Sequence, residues 1–418
     1  MSDLTDAEVD EILKKERAIG EAFSPAAPVT DRDLFAGRTT QIRQLIDLVA
    51  TRGQHGIIYG ERGVGKTSLV SFASMIVDDT AVRINCDTSD TFGTLWQKVC
   101  ERVTVTLSRP GVGFAAKEKE VVIAAAEALP KHPGPADIEA VLSTMPTGKA
   151  LAIFIDEFDR VRDPEAPVLL ADTIKTLSDQ GVPATVIVVG VADNVSDLIA
   201  EHASIERALV QVRMPRMSPE ELDEIVTRGL DRVDMTIAGD ARDRICALSQ
   251  GLPHYVHLLA QEAAKEAAWN KSEHITFEDV LEAMKKAIDR AEHTLAKGYH
   301  AATQSPRAVT LYPAVLLAAA LAPGDDLGYF APADIRDPLR AITKKQYDIP
   351  AFSPHLHELC EPARGQILQK VGQPRRFRFR FRNPLHQPYV IMRALAEQDL
   401  APEIFDHFLG GRTARKRS

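Results

Sequence analysis

An α/β fold built on a parallel β-sheet is predicted by three features of this 418-residue sequence. The first is a glycine-rich segment, Gly60–Ser68, which has an apolar run before it and a helical pattern after it. The second and third are continuous apolar runs, Leu151–Ile155 and Ala184–Gly190. Runs of this kind are typical of parallel strands that are buried on both faces. A mainly helical region and a C-terminal region of different composition follow the predicted sheet.

The glycine-rich segment fits the pattern G-x-x-x-x-G-K-[ST], which binds nucleotide phosphates. Its glycines let backbone N–H groups point at a phosphate, and the N-terminus of the next helix adds partial positive charge. Lys66 can reach the β- and γ-phosphates, and the Thr67 hydroxyl can ligate Mg2+. A chance match is the alternative, which the flanking strand and helix disfavour. We expect ATP to be bound by Gly60, Glu61, Arg62, Gly63, Val64, Gly65, Lys66, Thr67 and Ser68.

Two carboxylates, Asp156 and Glu157, follow the run Leu151–Ile155. Ligands of open α/β sheets bind at the carboxyl ends of the strands, so both side chains are predicted to lie near the phosphates. Asp156 is then a second Mg2+ ligand, and Glu157 orients and activates the attacking water. The alternative is a strand that ends in a solvated acidic turn. The preceding phosphate-binding segment favours the catalytic interpretation.

The run Ala184–Gly190 is followed by Asp193 and Asn194. If this strand lies beside the first one, either side chain can sense the γ-phosphate, and the sequence does not choose between them. Asp and Asn are also common helix N-caps, which is the structural alternative.

Composition is ordinary for a globular protein, with 45% hydrophobic and 26% charged residues and a net charge of −9. The length allows two or three domains. The four cysteines are too widely spaced for a zinc motif or a disulfide framework. Neither a signal peptide nor an apolar run of membrane-spanning length is recognisable, so we expect a cytoplasmic protein that does not contact membranes.

The remaining segments are assigned from periodicity and capping patterns. Residues 109–150 are predicted to contain helical pieces around 116–128 and 136–144. Capped helix starts at Ser218–Glu221 and Thr276–Asp279 indicate an all-helical region. Three helices near 311–321, 332–342 and 354–361, with strands at 366–371 and 376–382, resemble a winged helix.

The last predicted strand alternates strictly between phenylalanine and arginine. Phe377, Phe379 and Phe381 fall on one face. The other face is an arginine stripe, consisting of Arg376, Arg378, Arg380 and Arg382 with Arg375 at the tip. Such a stripe favours weakly specific contacts with the phosphates of double-stranded DNA, to which the basic segment 412–417 would add affinity. The alternatives are a solvated face or a surface for acidic residues of another protein or subunit.

Several of these segments, in this order, resemble the AAA+ ATPases, and among them the origin-recognition clade of replication initiators and related bacterial ATPases. The residues that carry the resemblance are Phe35–Arg38, Gly60–Thr67, Ile84–Cys86, Ile155–Asp159, Gly190–Asn194 and Gln250–His254. The resemblance implies an N-terminal arm at 1–34, a nucleotide-binding core at 35–215, a helical lid at 216–298, a winged-helix domain at 299–400 and a basic tail at 401–418.

The resemblance also implies roles for individual residues. Asn85 corresponds to a residue that restrains the catalytic glutamate, although an ordinary strand-end asparagine is the alternative. Arg207 corresponds to an arginine finger that reaches the nucleotide of a neighbouring subunit in a homo-oligomer; the alternative is a solvated or ion-paired arginine. Pro253 and His254 lie in the lid segment near the nucleotide. His254 departs from the arginine often found there, and the Gly-x-Pro segment is similar to that of STAND signalling ATPases.

The function expected from this resemblance is hydrolysis of ATP to ADP and phosphate by a switch or motor. It would act with DNA and a partner protein in replication, transposition or control of mobile elements. The alternative is a STAND-like signalling ATPase whose nucleotide state controls assembly with an effector, for example in antiphage defence. An inactive scaffold is disfavoured because Lys66, Asp156 and Glu157 are all present.

Overall fold

The computed structural model describes residues 5–77, 81–109, 119–144, 151–193, 195–199, 205, 207–291, 293–304, 310–374 and 376–410. The helices are α1 Asp6–Ala22, α2 Thr39–Ala50, α3 Lys66–Val77, α4 Phe92–Cys100, α5 Pro135–Ser143, α6 Ala166–Asp179, α7 Pro219–Asp231, α8 Gly239–Ser249, α9 Pro253–Trp269, α10 Phe277–Asp289, α11 His293–Thr303, α12 Tyr312–Leu321, α13 Arg336–Thr343, α14 Ile349–Glu358, α15 His386–Ala396 and α16 Pro402–Phe405. The strands are β1 His55–Gly60, β2 Ala81–Asn85, β3 Thr104–Arg109, β4 Lys119–Ala124, β5 Leu151–Asp156, β6 Ala184–Val191, β7 Leu209–Arg213, β8 Thr236–Ile237, β9 His274–Ile275, β10 Leu368–Val371 and β11 Arg378–Phe381.

The contacts within the chain divide it into two units, which are described separately. The sheet unit consists of Arg38–Glu61 and Lys66–Met214. The helical unit consists of Met1–Gly37, Arg62–Gly65 and Pro215–Ser418.

The sheet unit is built on five parallel strands in the order β2-β5-β6-β1-β7. Every residue of β5 is buried, as are all residues of β6 except Val191, which explains their unbroken apolar sequences. The predicted parallel α/β core is confirmed. β6 lies beside β1, with Tyr59 opposite Gly190, as the sensing hypothesis for the residues after β6 required.

Helices cover both faces of this sheet. On one face, α4 and α6 contribute buried side chains such as Trp96 and Ile174 to a core that also contains Val82 and Ile84 of β2. On the other face, α3 packs against β1, β2, β5 and β6. The first turn of α3 is thereby held at the carboxyl end of the sheet.

The segment between α4 and β5 corrects one prediction. Where a helix was expected around 116–128, the described residues form the strand β4, which pairs with β3 in an antiparallel hairpin with Thr104 opposite Ala124. Only Ala125–Ala128 are helical, as one 3-10 turn. The β-branched run Val121–Ile123 favours a strand once a partner strand supplies the hydrogen bonds. The second expected helix, around 136–144, is confirmed as α5.

The helical unit contains the expected lid helices α7 to α10. Both predicted capping boxes are present, at Ser218 with Glu221 and at Thr276 with Asp279. One detail differs, because the two-residue strands β8 and β9 form a short parallel pair within this otherwise helical region. The N-terminal helix α1 packs against α7 and α9.

The C-terminal part of the helical unit contains the three expected helices α12, α13 and α14 and the antiparallel hairpin β10–β11. The third helix begins at Ile349, earlier than predicted, and includes Pro354. Inside a helix, proline cannot donate the i→i−4 hydrogen bond and its ring crowds the carbonyl group of residue i−4, so Pro354 lowers the stability of this helix. Assignment of this region as a winged-helix domain remains a prediction.

Within the residues that the structure describes, no helix combines the length and apolar character needed to span a bilayer.

We expect the free energy of unfolding to fall with decreasing pH because of the buried His55. Burial lowers the pKa of its imidazole from 6.5 to about 4, and its Nδ1 accepts a hydrogen bond of 3.0 Å from the Val186 N–H. The unfolded chain therefore takes up a proton near pH 6.5, whereas the folded protein does so only near pH 4. Stability present above pH 6.5 is lost towards pH 4, by roughly 2 kcal/mol at pH 5 from this group.

Urea denaturation at pH 7.5 and pH 5 measures this effect. His55→Asn is the matched control, because its amide oxygen can accept the Val186 N–H but does not titrate. The variant should lose less stability between the two pH values than the wild type. Equal losses in both proteins would contradict the assignment to His55.

Candidate nucleotide-binding site

The glycines of the segment Gly60–Ser68, which joins β1 to α3, are required by its backbone. Gly63 and Gly65 have φ angles of +85° and +91°, in the left-handed region that favours glycine. At Gly60 a Cβ atom would lie 2.4 Å from the carbonyl oxygen of Met214. The loop therefore has the unhindered backbone that a phosphate-binding loop needs.

Lys66 is the first residue of α3 and is only 8% exposed. Its Nζ donates hydrogen bonds of 2.9 Å and 2.7 Å to the carbonyl oxygens of Gly60 and Glu61. The ammonium group is thus held against the phosphate-binding loop. Thr67 and Ser68 follow in the first turn of α3 and are half-buried. An ammonium group, a hydroxyl and a helix N-terminus fit the triphosphate of a nucleotide.

The other loop residues differ in exposure. Glu61 and Val64 are buried, whereas Arg62 is exposed. The motif specifies only the glycines and the Lys-Thr pair, so it predicts no chemical role for these three side chains.

Asp156 is the last residue of β5 and is 2% exposed. Its Oδ2 accepts a hydrogen bond of 3.1 Å from Nη2 of Arg83, and its Oδ1 accepts one of 2.9 Å from the backbone N–H of Glu157. These two donors compensate for the burial of the charged carboxylate. Its oxygens are the kind of hard ligand that Mg2+ prefers. The sequence analysis missed Arg83, whose position within β2 carries no motif.

Glu157 follows Asp156 in a left-handed conformation, with φ of +58°. Non-glycine residues in this region are uncommon and are concentrated at functional sites. Its carboxylate forms an ion pair of 2.7 Å with Arg160, and its side chain is 46% exposed. The base candidate is therefore accessible at the carboxyl edge of the sheet.

The end of β6 is tied to the turn after β5. The backbone N–H of Val191 donates a hydrogen bond of 2.8 Å to Oδ1 of Asp159. Asp193 is half-buried just beyond this point, whereas Asn194 lies outside the described residues. The choice between the two as a γ-phosphate sensor remains a prediction.

Asn85 and Arg207 are both exposed. Asn85 ends β2 and pairs in register with Asp156 of β5, which brings it beside the acidic pair. Arg207 lies in the turn before β7, and none of the ion pairs seen among the described residues involves it. Its predicted role requires a second subunit and remains a prediction.

Pro253 and His254 begin α9 in the helical unit, which also includes the loop residues Arg62–Gly65. A Cβ atom on Gly65 would lie 3.6 Å from Cγ of Pro253, so this proline is next to the loop. Nδ1 of His254 is 2.8 Å from the carbonyl oxygen of Pro25. Because a carbonyl only accepts, the ring is protonated at Nδ1 and binds the N-terminal arm, a contact that the sequence did not indicate.

The arginine stripe is present but partly engaged within the protein. Phe379 and Phe381 are buried as predicted, and Phe377 is half-buried. Arg378 forms an ion pair of 2.9 Å with Asp325 and donates a hydrogen bond of 3.0 Å to the carbonyl oxygen of Tyr329. Arg380 lies 4.5 Å from the centre of the Tyr329 ring and donates a hydrogen bond of 3.3 Å to the carbonyl oxygen of Leu327. Arg382 donates to the amide oxygen of Gln366. Arg376 is exposed, and Arg375 lies outside the described residues. The hairpin thus uses two of its arginines to hold the 325–329 turn.

The sheet order, the loop after β1 and the acidic pair after β5 define a P-loop NTPase. The family model described as Novel STAND NTPase 1 matches residues 23–312, well over half of the chain, and the protein belongs to this family. This match confirms the predicted relation to STAND NTPases. The search of curated proteins finds no match for the chain.

Solved structures with a similar fold include the ORC2 protein of Aeropyrum pernix, with 13% identity, a TM-score of 0.47 and coverage of 94% of this chain and 98% of that one. A Walker-type ATPase of Pyrococcus abyssi has 16% identity, a TM-score of 0.48 and coverage of 88% and 99%. RuvB of Thermotoga maritima, a Holliday junction branch migration motor, has 15% identity, a TM-score of 0.43 and coverage of 90% and 99%.

We predict that Arg378 and Arg376 make unequal contributions to the stability of the hairpin. Arg378→Ala removes the Asp325 ion pair and the Tyr329 hydrogen bond, and should lower the local free energy of opening by about 1 kcal/mol, because the pair is partly exposed. Arg376→Ala is the matched control and should have little effect. Native-state hydrogen exchange of β10 and β11 measures both. Equal protection in the two variants would contradict this division of the stripe.

Proposed function

We propose that the protein binds and hydrolyses ATP as a nucleotide-controlled switch of the STAND type. In its ATP-bound state it would assemble with further copies of itself and with an effector protein. The observation that best supports hydrolysis is that the loop after β1 and the pair Asp156 and Glu157 lie at the same edge of one parallel sheet. The family membership supports the switching role.

In this proposal the triphosphate is bound by the loop backbone and by Lys66. The ammonium group would exchange its hydrogen bonds with the loop carbonyls for stronger charge-assisted bonds with phosphate oxygens. Thr67 and Asp156 supply the hydroxyl and carboxylate oxygens that Mg2+ prefers. When bound, Mg2+ would neutralise charge on the phosphates.

Glu157 is the proposed residue that orients and deprotonates the attacking water. Its left-handed backbone and its accessible carboxylate support this role. Asn85, beside it on β2, would restrain the glutamate, and Asp193 or Asn194 would sense the γ-phosphate. Arg207 would complete the site of a neighbouring copy by stabilising transition-state charge, for which its exposure is a prerequisite.

A DNA-coupled ATPase is the second candidate. It is supported by the exposure of Arg376, Arg378 and Arg382, which lie in β11 or directly beside it. We favour the switch, because the ion pair of Arg378 with Asp325 and the contacts of Arg380 with the 325–329 turn reduce the charge available for phosphates.

Replacing the proposed base should separate binding from hydrolysis. Glu157→Gln is expected to lower kcat by about 100-fold or more, because a general base contributes 10²–10⁴-fold, while the affinity for ATP stays nearly unchanged. Phosphate release and binding of a fluorescent ATP analogue measure the two quantities. Glu165→Gln, an exposed acid of the same unit, is the control. Hydrolysis that survives in Glu157→Gln would overturn the assignment.

Adding double-stranded DNA decides between the two candidates. For the switch we expect the ATPase rate to be the same with and without DNA, in the wild type and in Arg376→Ala/Arg382→Ala. This pair spares Arg378 and Arg380, which hold the 325–329 turn, and removes one internal contact, that of Arg382 with the amide oxygen of Gln366. Stimulation by DNA that disappears in the double variant at low salt would instead establish the DNA-coupled candidate.

A further inference from the structure

Arg83 is an arginine within a strand of the parallel sheet, on the face that α3 covers. Its neighbours along β2, Val82 and Ile84, are buried in the apolar core on the opposite face. Strand alternation therefore directs Arg83 towards α3, which packs against β2 and β5. Its side chain is only 26% exposed. A guanidinium group in such a place requires compensating partners.

Arg83 has two hydrogen-bond partners, Asp156 and Ser71. Asp156 is a proposed Mg2+ ligand, and Ser71 lies on α3, the helix that carries the other proposed ligand. Nη2 of Arg83 donates to Oδ2 of Asp156 at 3.1 Å, and Nη1 donates to Oγ of Ser71 at 2.6 Å. Oγ of Ser71 in turn donates to the carbonyl oxygen of Thr67 at 2.9 Å. The guanidinium thus connects the carboxylate of Asp156 on β5 with the backbone of Thr67 on α3 through a continuous chain of hydrogen bonds, and these are the two residues proposed to hold Mg2+.

The same chain extends to the proposed base. Oδ1 of Asp156, the oxygen that Arg83 does not contact, accepts the backbone N–H of Glu157 at 2.9 Å. With one oxygen held by Arg83 and the other by the backbone, the carboxylate has a single orientation. Fixing Asp156 therefore also fixes the left-handed turn that presents Glu157.

We propose that Arg83 is a positioning residue for Mg2+: it sets the orientation of Asp156 relative to the first turn of α3 and thereby the affinity for the metal–nucleotide complex. The inference rests on the proposed nucleotide site. It assigns Arg83 a role through Asp156 and Ser71, without contact with the phosphates. Groups that orient metal ligands typically change metal affinity by 10–100-fold when they are removed.

The test measures the gain in nucleotide affinity that metal provides in the full-length protein. Binding of a fluorescent ADP analogue is measured in EDTA and in Mg2+, and binding of Mn2+ with ADP is followed by electron paramagnetic resonance. Arg83→Met removes the charge and the donors but keeps an unbranched side chain. It should bind nucleotide in EDTA like the wild type, lose about tenfold or more of the metal-dependent gain, and weaken Mn2+ binding by a similar factor.

Three further variants make the result specific. Arg83→Lys keeps the charge but not the two-pronged geometry, and should restore only part of the gain. Ser71→Ala breaks the link to α3 and should lose about two- to threefold, the effect of one hydrogen bond. Arg52→Met removes a guanidinium that bonds the Gly181 carbonyl before β6, at the opposite edge of the sheet, and should behave like the wild type. If Arg83→Met does not fold, the lysine and serine variants decide.

The outcomes distinguish this inference from the proposed function. The inference would be overturned if Arg83→Met showed the same metal-dependent gain as the wild type, or if Arg83→Lys and Ser71→Ala both did. Arg83 would then serve only to neutralise the charge of Asp156. A larger gain would also overturn it, because Arg83 would then compete with the metal. If metal provides no gain in the wild type itself, the proposed Mg2+–nucleotide site fails, and the inference fails with it.

Discussion

The parallel hydrogen-bond ladder of β5, β6 and β1 is the constraint on which the site depends. Parallel strands end at the same edge, so the ladder brings the loop after β1, the acidic pair after β5 and Asp193 after β6 to one edge of the sheet. In this way the ladder brings Lys66 and Asp156, which are about ninety positions apart in the chain, to the same edge of the sheet. A one-residue change of register would turn Asp156 to the other face, so the apolar contacts that fix the register also fix the chemistry.

Buried charges at this edge are held by specific donors and acceptors. Lys66 is held by loop carbonyls, and Asp156 by Arg83 and a backbone N–H. Burial without such partners would cost several kcal/mol for each charge. The partners also limit the orientations of both groups, so the side chains are already ordered when the protein has folded. The neighbouring Glu157 is more exposed, with 46% of its side chain accessible.

The helical unit shows how polar groups acquire roles that a motif does not reveal. His254 lies in the first turn of α9, and its imidazole contacts the carbonyl oxygen of Pro25. Gln261, two turns further along α9, donates to the carbonyl oxygen of Phe23. One face of α9 therefore holds residues 23–25, which follow α1. In the hairpin, Arg378 similarly stabilises the protein's own turn.

The sequence by itself determined the parallel core, the phosphate-binding loop and the acidic pair, because each depends on local features: glycines at left-handed positions, unbroken apolar strands and carboxylates at a strand end. It also located α5, the capped helices α7 and α10 and the alternating Phe–Arg strand. Only the tertiary structure decided that 119–124 is a strand, since its hydrogen-bond partner lies elsewhere in the chain. Only the tertiary structure placed Arg83 beside Asp156 and Arg378 beside Asp325. An arginine's partner is set by distances between elements far apart in the chain, and no local pattern encodes those distances.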